Sequence, residues 1–186
     1  MGDKFCIMLF IPDHWTKIRS ITKIRIISLF ILLIPVYFFI IGDYYGSGFQ
    51  TPLFRYQDIF LGSFVIFVSN DVYNVITGFF KGAMIPTVIL WCLGVFLIIA
   101  NIVLLFVDTA PVTQIIRRSG VLLIISGFSL LFSLMVRYGP FFYNSSGIAI
   151  PLGLPLIFLI GIWMFQWKGN DENADTMVEP VHRNEP

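Results

Sequence analysis

Four stretches of the chain, 24–44, 85–107, 120–138 and 148–167, are apolar over lengths near the ~20 residues that a ~30 Å hydrocarbon core demands of a helix. A soluble fold has no room for them. Hydrophobic residues make up 57% of the 186 positions and charged residues only 12%, too few for a solvated surface around a core. The pattern predicts an all-α integral membrane protein: a four-transmembrane-helix bundle, multi-pass in the cell membrane, with both termini cytoplasmic. Residues 1–23 form a cytoplasmic or interfacial N-terminal segment, 24–167 the membrane domain with an outer cap over 45–83, and 168–186 an acidic cytoplasmic tail. That tail lacks the apolar content to fold and is expected to be disordered.

A fifth apolar run, 59–80, is interrupted by Phe67-Val-Ser-Asn-Asp-Val-Tyr-Asn74. An aspartate at the centre of a span costs about 2.5–3.5 kcal/mol, and Asn70 and Asn74 add to it. Charge counting points the same way. With four spans, Lys4, Lys17, Arg19, Lys23, Arg25, Arg117, Arg118, Lys168 and Arg183 lie inside, leaving Arg55, Lys81 and Arg137 outside. Five spans would strand the Arg117–Arg118 pair on the wrong face. The first run ends in Phe38-Phe-Ile-Ile-Gly-Asp43, without the small-x-small pattern of a cleaved leader, and is expected to be an uncleaved span.

At helical spacing Asn70, Asn74, Thr77 and Lys81 share a stripe opposite Val72, Val75, Ile76, Phe79 and Phe80. The cap is therefore expected to contain an amphipathic interfacial helix started by Ser69 or Asn70. Interfacial, re-entrant and spanning placements of 59–80 all remain open, with the interfacial one favoured. Tyr44, Tyr45, Phe49, Phe54 and Tyr56 suit the aromatic belt of an outer interface.

Within the spans, Ser126, Ser129, Ser133 and Arg137 recur on one helix face. A seam that lets backbones approach explains the serines more simply than a polar pathway. Arg137 calls for a carboxylate, with Asp43 the first choice and Asp58 or Asp71 behind it. Asn101 is expected to form an interhelical hydrogen bond, and Pro35, Pro151 and Pro155 to bend or begin their helices. Asn144-Ser145-Ser146 is a possible glycosylation acceptor on the outside.

Chemistry is sparse. Cys6 and Cys92 read as free thiols, with no disulfide or metal pattern. His14 and His182 fall outside the spans and cannot hold haem between helices. The spans carry no midplane carboxylate, phosphate loop or nucleophile set, so no catalytic residue, cofactor or metal is expected. The basic residues before the first span are explained by orientation and anionic lipid, and no nucleic acid is expected.

The segments "LFRYQDIF" at 53–60 and "ILWCLGVFLIIANIVLLF" at 89–106 resemble those of uncharacterised small multi-pass membrane proteins of methanogenic archaea. The resemblance covers about residues 42–107 and implies an archaeal cell membrane without any activity. Together these features lead to the expectation of a non-enzymatic accessory or assembly subunit whose outer cap binds other membrane or extracellular proteins, or itself. The alternative is a small oligomeric transporter or channel.

Overall fold

Helix α1, Asp13–Ile31, stops four residues before Pro35. Proline lacks an amide donor and biases the preceding residue, Ile34, away from helical backbone. The last turn tightens, Leu32 and Leu33 bonding back to the Leu29 and Phe30 carbonyls at 3.2 and 3.0 Å, and the chain then runs straight. Aromatic and β-branched residues follow, and they suit a pleated strand: Tyr37–Ile41 is β1. The computed structural model describes residues 13–41, 46–108, 110–145 and 147–167.

Strands β2 (Gly46–Gln50), β3 (Phe54–Ile59) and β4 (Gly62–Phe67) follow as an antiparallel meander. Helix α2 is Val68–Ile76, α3 is Met84–Val107 and α4 is Val112–Tyr138. The chain then returns to the sheet through β5 (Tyr143–Asn144) and β6 (Gly147–Ile150) and ends in α5, Gly153–Phe165. The sheet order is β4-β3-β2-β1-β6-β5, and every pair is antiparallel. Strand β1 lies inside the sheet because β6 closes on its free edge.

The expected all-α, four-span bundle is therefore corrected. Among the described residues a six-stranded sheet accompanies five helices, and only α3 and α4 are long and apolar enough to cross a membrane. The multi-pass, four-helix-bundle description fails at both ends of the chain. The first apolar run, 24–44, is helix only as far as Ile31 and strand over Tyr37–Ile41, and its helix carries Lys17, Arg19, Lys23 and Arg25. The last run, 148–167, begins as β6, and the 13 residues of α5 extend about 20 Å, short of a hydrocarbon core.

The 59–80 run divides as well. Its first part closes the β3–β4 hairpin, with Ile59 opposite Gly62, and only 68–76 is helical. Around helix α2 the expected polar stripe stays outward at Asn70, Thr77 and Lys81 and Val72 and Val75 are half-buried, but the residue it buries is Asp71, and Tyr73 and Ile76 are exposed. The reason is a specific partner for Asp71, which is identified below.

The long helices pack tightly. Gly120 and Gly161 meet between α4 and α5, where a Cβ on Gly120 would lie 2.6 Å from the Gly161 carbonyl oxygen, so only glycine permits this approach. Gly139, at φ 82°, ends α4 in a backbone state that costs other residues energy, and it turns the chain toward β5. Buried Ile98, Leu105, Ile116, Leu123, Leu130 and Ile157 fill the space between helices.

Candidate functional site

The α3–α4 contact is laced by hydroxyls. Ser126, Ser129 and Ser133 of α4 donate to the Gly94, Leu90 and Thr87 carbonyl oxygens of α3 at 2.9, 2.7 and 2.8 Å. As one number rises the other falls, so the three bonds define an antiparallel register. Each hydroxyl is occupied in joining helices. Asn101 is fully buried on the same helix, and neither side-chain polar atom bonds to any described residue.

At the sheet end of this seam the inner faces of β1, β2 and β3 supply a polar row. Tyr37, Gln50 and Arg55 stand directly opposite one another across the three strands, so their side chains project to one face. The Tyr37 hydroxyl donates to Gln50 Oε1 at 2.6 Å. Arg55 Nη2 lies 3.2 Å from Asp71 Oδ1, with side chains only 8% and 9% exposed. This ion pair turns α2 so that Asp71 faces inward. An unpaired carboxylate there would cost several kcal/mol, more than exposing Tyr73 and Ile76.

Trp91 of α3 donates its indole N–H to the Pro52 carbonyl at 3.2 Å, tying the sheet to the membrane-length helix. Its ring meets Tyr37 edge-on, with centroids 5.7 Å apart, and Tyr37 also meets Tyr138 at 6.0 Å. Arg137 enters the group from α4. Its guanidinium lines the same cavity as Tyr37 and sits 5.2 Å from the Tyr138 ring centroid.

Together these side chains enclose a cavity lined by Tyr37, Arg55, Asp71, Thr87, Trp91 and Arg137. It leaves about 20 Å³ for the centre of a water-sized body, little more than a single water needs. An organic substrate does not fit. Burial pushes the Tyr37 phenol well above its ordinary range, opposed first by the Arg137 charge, so the hydroxyl stays protonated and keeps its bond to Gln50.

The opposite face of the sheet is apolar. Ile150, Phe38, Phe49, Tyr56 and Val65 stand in register across five strands. Phe38 and Phe49 have ring centroids 5.9 Å apart, and Phe49 stacks on Tyr56 at 5.5 Å. Phe54 and Phe67 continue the surface on the next row. A groove of about 450 Å³ runs over it, lined by Phe38, Phe49, Tyr56, Ile150 and Leu152, with Asp58 and Ser47 at its polar side. Ser63 donates to Asp58 at 2.9 Å on this rim.

The expected site residues thus fall into separate places. Arg137 and Asp71 share the cavity, but the hydrogen-bonded partner of Asp71 is Arg55. Asp43, the first choice for Arg137, lies outside the described residues, as do Cys6 and His182. Asn144 turns its amide inward, Nδ2 donating to the Arg137 carbonyl at 2.8 Å, which closes the turn after α4. Tyr37, Gln50, Arg55 and Trp91 were not singled out beforehand. One signal existed for Arg55: read with period two, Phe54-Arg55-Tyr56-Gln57 sets Arg55 and Gln57 on one face and the aromatics on the other.

The chain matches no protein-family model, no curated protein and no solved structure. What it does must be argued from its own residues.

Proposed function

We propose that this is a non-catalytic protein of the cell membrane that takes part in an assembly, with α3 and α4 as its membrane anchor and the outer face of the sheet as its docking surface for another protein. The supporting observation is the in-register row Ile150–Phe38–Phe49–Tyr56–Val65. Contiguous exposed apolar surface rimmed by polar groups is characteristic of recognition sites, and aromatic residues dominate the energetics of protein contacts. Asp58 and the two serines beside the groove favour a protein over lipid, since a carboxylate there repels anionic headgroups.

Charge orients the anchor. The turn between α3 and α4 is followed by Arg117 and Arg118, which favours the cytoplasmic side for this turn and the outside for the sheet. The alternative of a transport path draws no support from the serine face, because those hydroxyls are spent on α3 carbonyls.

Cross-linking in intact membranes, followed by mass measurement in mild detergent, tests the proposal. The expected particle exceeds the 21.2 kDa protomer, and Val65→Asp or Phe38→Asp returns it to the protomer mass without unfolding it. A wild-type protein that neither cross-links nor exceeds the protomer mass would overturn it.

A further inference from the structure

The cavity beneath the sheet contains two guanidinium groups, Arg55 and Arg137, and one carboxylate, Asp71. The ion pair uses one face of Arg55. Its Nε–H is buried without a hydrogen-bond acceptor among the described residues, and Arg55 as a whole is only 7% exposed. A buried cationic donor left without an acceptor is costly, and native structures supply one. Here the surplus has a definite sign: one positive charge, with the donor unspent.

We propose that this cavity binds a small inorganic anion, chloride being the size that fits, between the Arg55 and Arg137 guanidinium groups. Three observations converge on it. The free volume, about 20 Å³ for a water-sized centre, admits a monatomic anion and excludes a nucleotide or a sugar phosphate. The lining is donor-rich, with two guanidinium groups, and arginine is the side chain best suited to hold an anion at an apolar boundary. Apolar walls from Val68, Phe80, Met84 and Val88 lower the local dielectric, which strengthens each contact to the ion. Asp71 opposes binding and sets its strength: by neutralising one guanidinium it keeps the ion exchangeable. The site lies on the inner face of the sheet, so it is independent of the docking surface proposed above.

The test is thermal unfolding of the purified full chain in detergent, in sodium chloride against sodium gluconate at equal ionic strength. Chloride is expected to raise the melting temperature along a saturable curve. Arg137→Gln should weaken the apparent affinity by about tenfold or more, as expected for loss of a hydrogen bond to a charged group. Asp71→Asn moves in the other direction. It removes the competing charge and leaves two guanidinium groups facing the ion, so its affinity for chloride should rise even though the protein is less stable without the ion. A merely structural cluster cannot produce that opposition, because both variants would then lose stability equally in both salts. Identical melting in the two salts overturns the proposal. So does stabilisation by a phosphate-bearing lipid such as phosphatidylglycerol with no response to chloride.

Discussion

Arg55 of β3 and Asp71 of α2 form a buried ion pair, 3.2 Å between Nη2 and Oδ1, across sixteen residues of chain. The pair fixes how the sheet joins the helices, because it sets the rotation of α2 just before α3 begins. Breaking it from one side leaves a charge buried alone. Arg55→Ala and Asp71→Ala should each cost about 3–5 kcal/mol, and the double variant clearly less than the sum. A double-mutant cycle by denaturant unfolding in detergent measures this, and additive losses would show that the two charges do not depend on one another.

Tyr37 provides a pH signature. Burial raises its folded pKa above that of the unfolded phenol, so the folded state favours the protonated form. The resulting stability is complete below the unfolded value near ~10 and is lost as pH rises above it. Ultraviolet titration should show one tyrosine that ionises only with unfolding. Tyr37→Phe should cost about 1–3 kcal/mol at neutral pH, through loss of the 2.6 Å bond to Gln50, and should flatten the alkaline decline. An unchanged decline would assign it to another group.

The serine ladder between α3 and α4 should behave as many small contributions. Ser126→Ala, Ser129→Ala and Ser133→Ala are each expected to cost about 0.5–1.5 kcal/mol. Gly94→Ala is a different case. Its Cβ would stand 2.8 Å from the Leu130 side chain, and such overpacking costs about 1–3 kcal/mol. Melting temperatures of the four variants rank these effects directly.

Asn101 should be dispensable. Both of its side-chain polar atoms are buried without partners among the described residues, so Asn101→Leu is expected to be neutral or to stabilise by about 1 kcal/mol. A clear drop in melting temperature would reveal a polar partner.

Orientation is accessible to thiol chemistry in a background without Cys6 and Cys92. Cysteines at Lys81 and Ser145, both exposed near the sheet, should react with an impermeant reagent from outside. A cysteine at Gln114, exposed beside the arginine pair, should react only after permeabilisation. The reverse pattern would invert the proposed anchor.

Much of α3 and α4 was legible in the chain itself. Both helices run through apolar residues with Pro86 confined to the first turn of α3, where proline costs no helical bond, and Gly139 marks the end of α4. Their spacing also set the serines on one face. The sheet was hidden for a physical reason. Tyr37–Ile41 and Gly147–Ile150 are apolar toward the helices and apolar on the outer face, so they lack the polar alternation that identifies a half-buried strand. An apolar run of that kind is equally compatible with the end of a membrane helix. Pro35 was a real boundary, but proline also occurs inside spans, and the run alone could not distinguish the two.

What the sequence by itself determined was the presence of membrane-length helices and the basic end of the hairpin between them. Tertiary structure alone decided which arginine Asp71 meets, that β6 would close beside β1, and that two guanidinium groups would share one small cavity. Those outcomes depend on contacts between residues far apart in the chain. Local propensity carries no information about them, because the energy of a buried charge is set by the partner that arrives, and the partner is chosen by the packing of the whole fold.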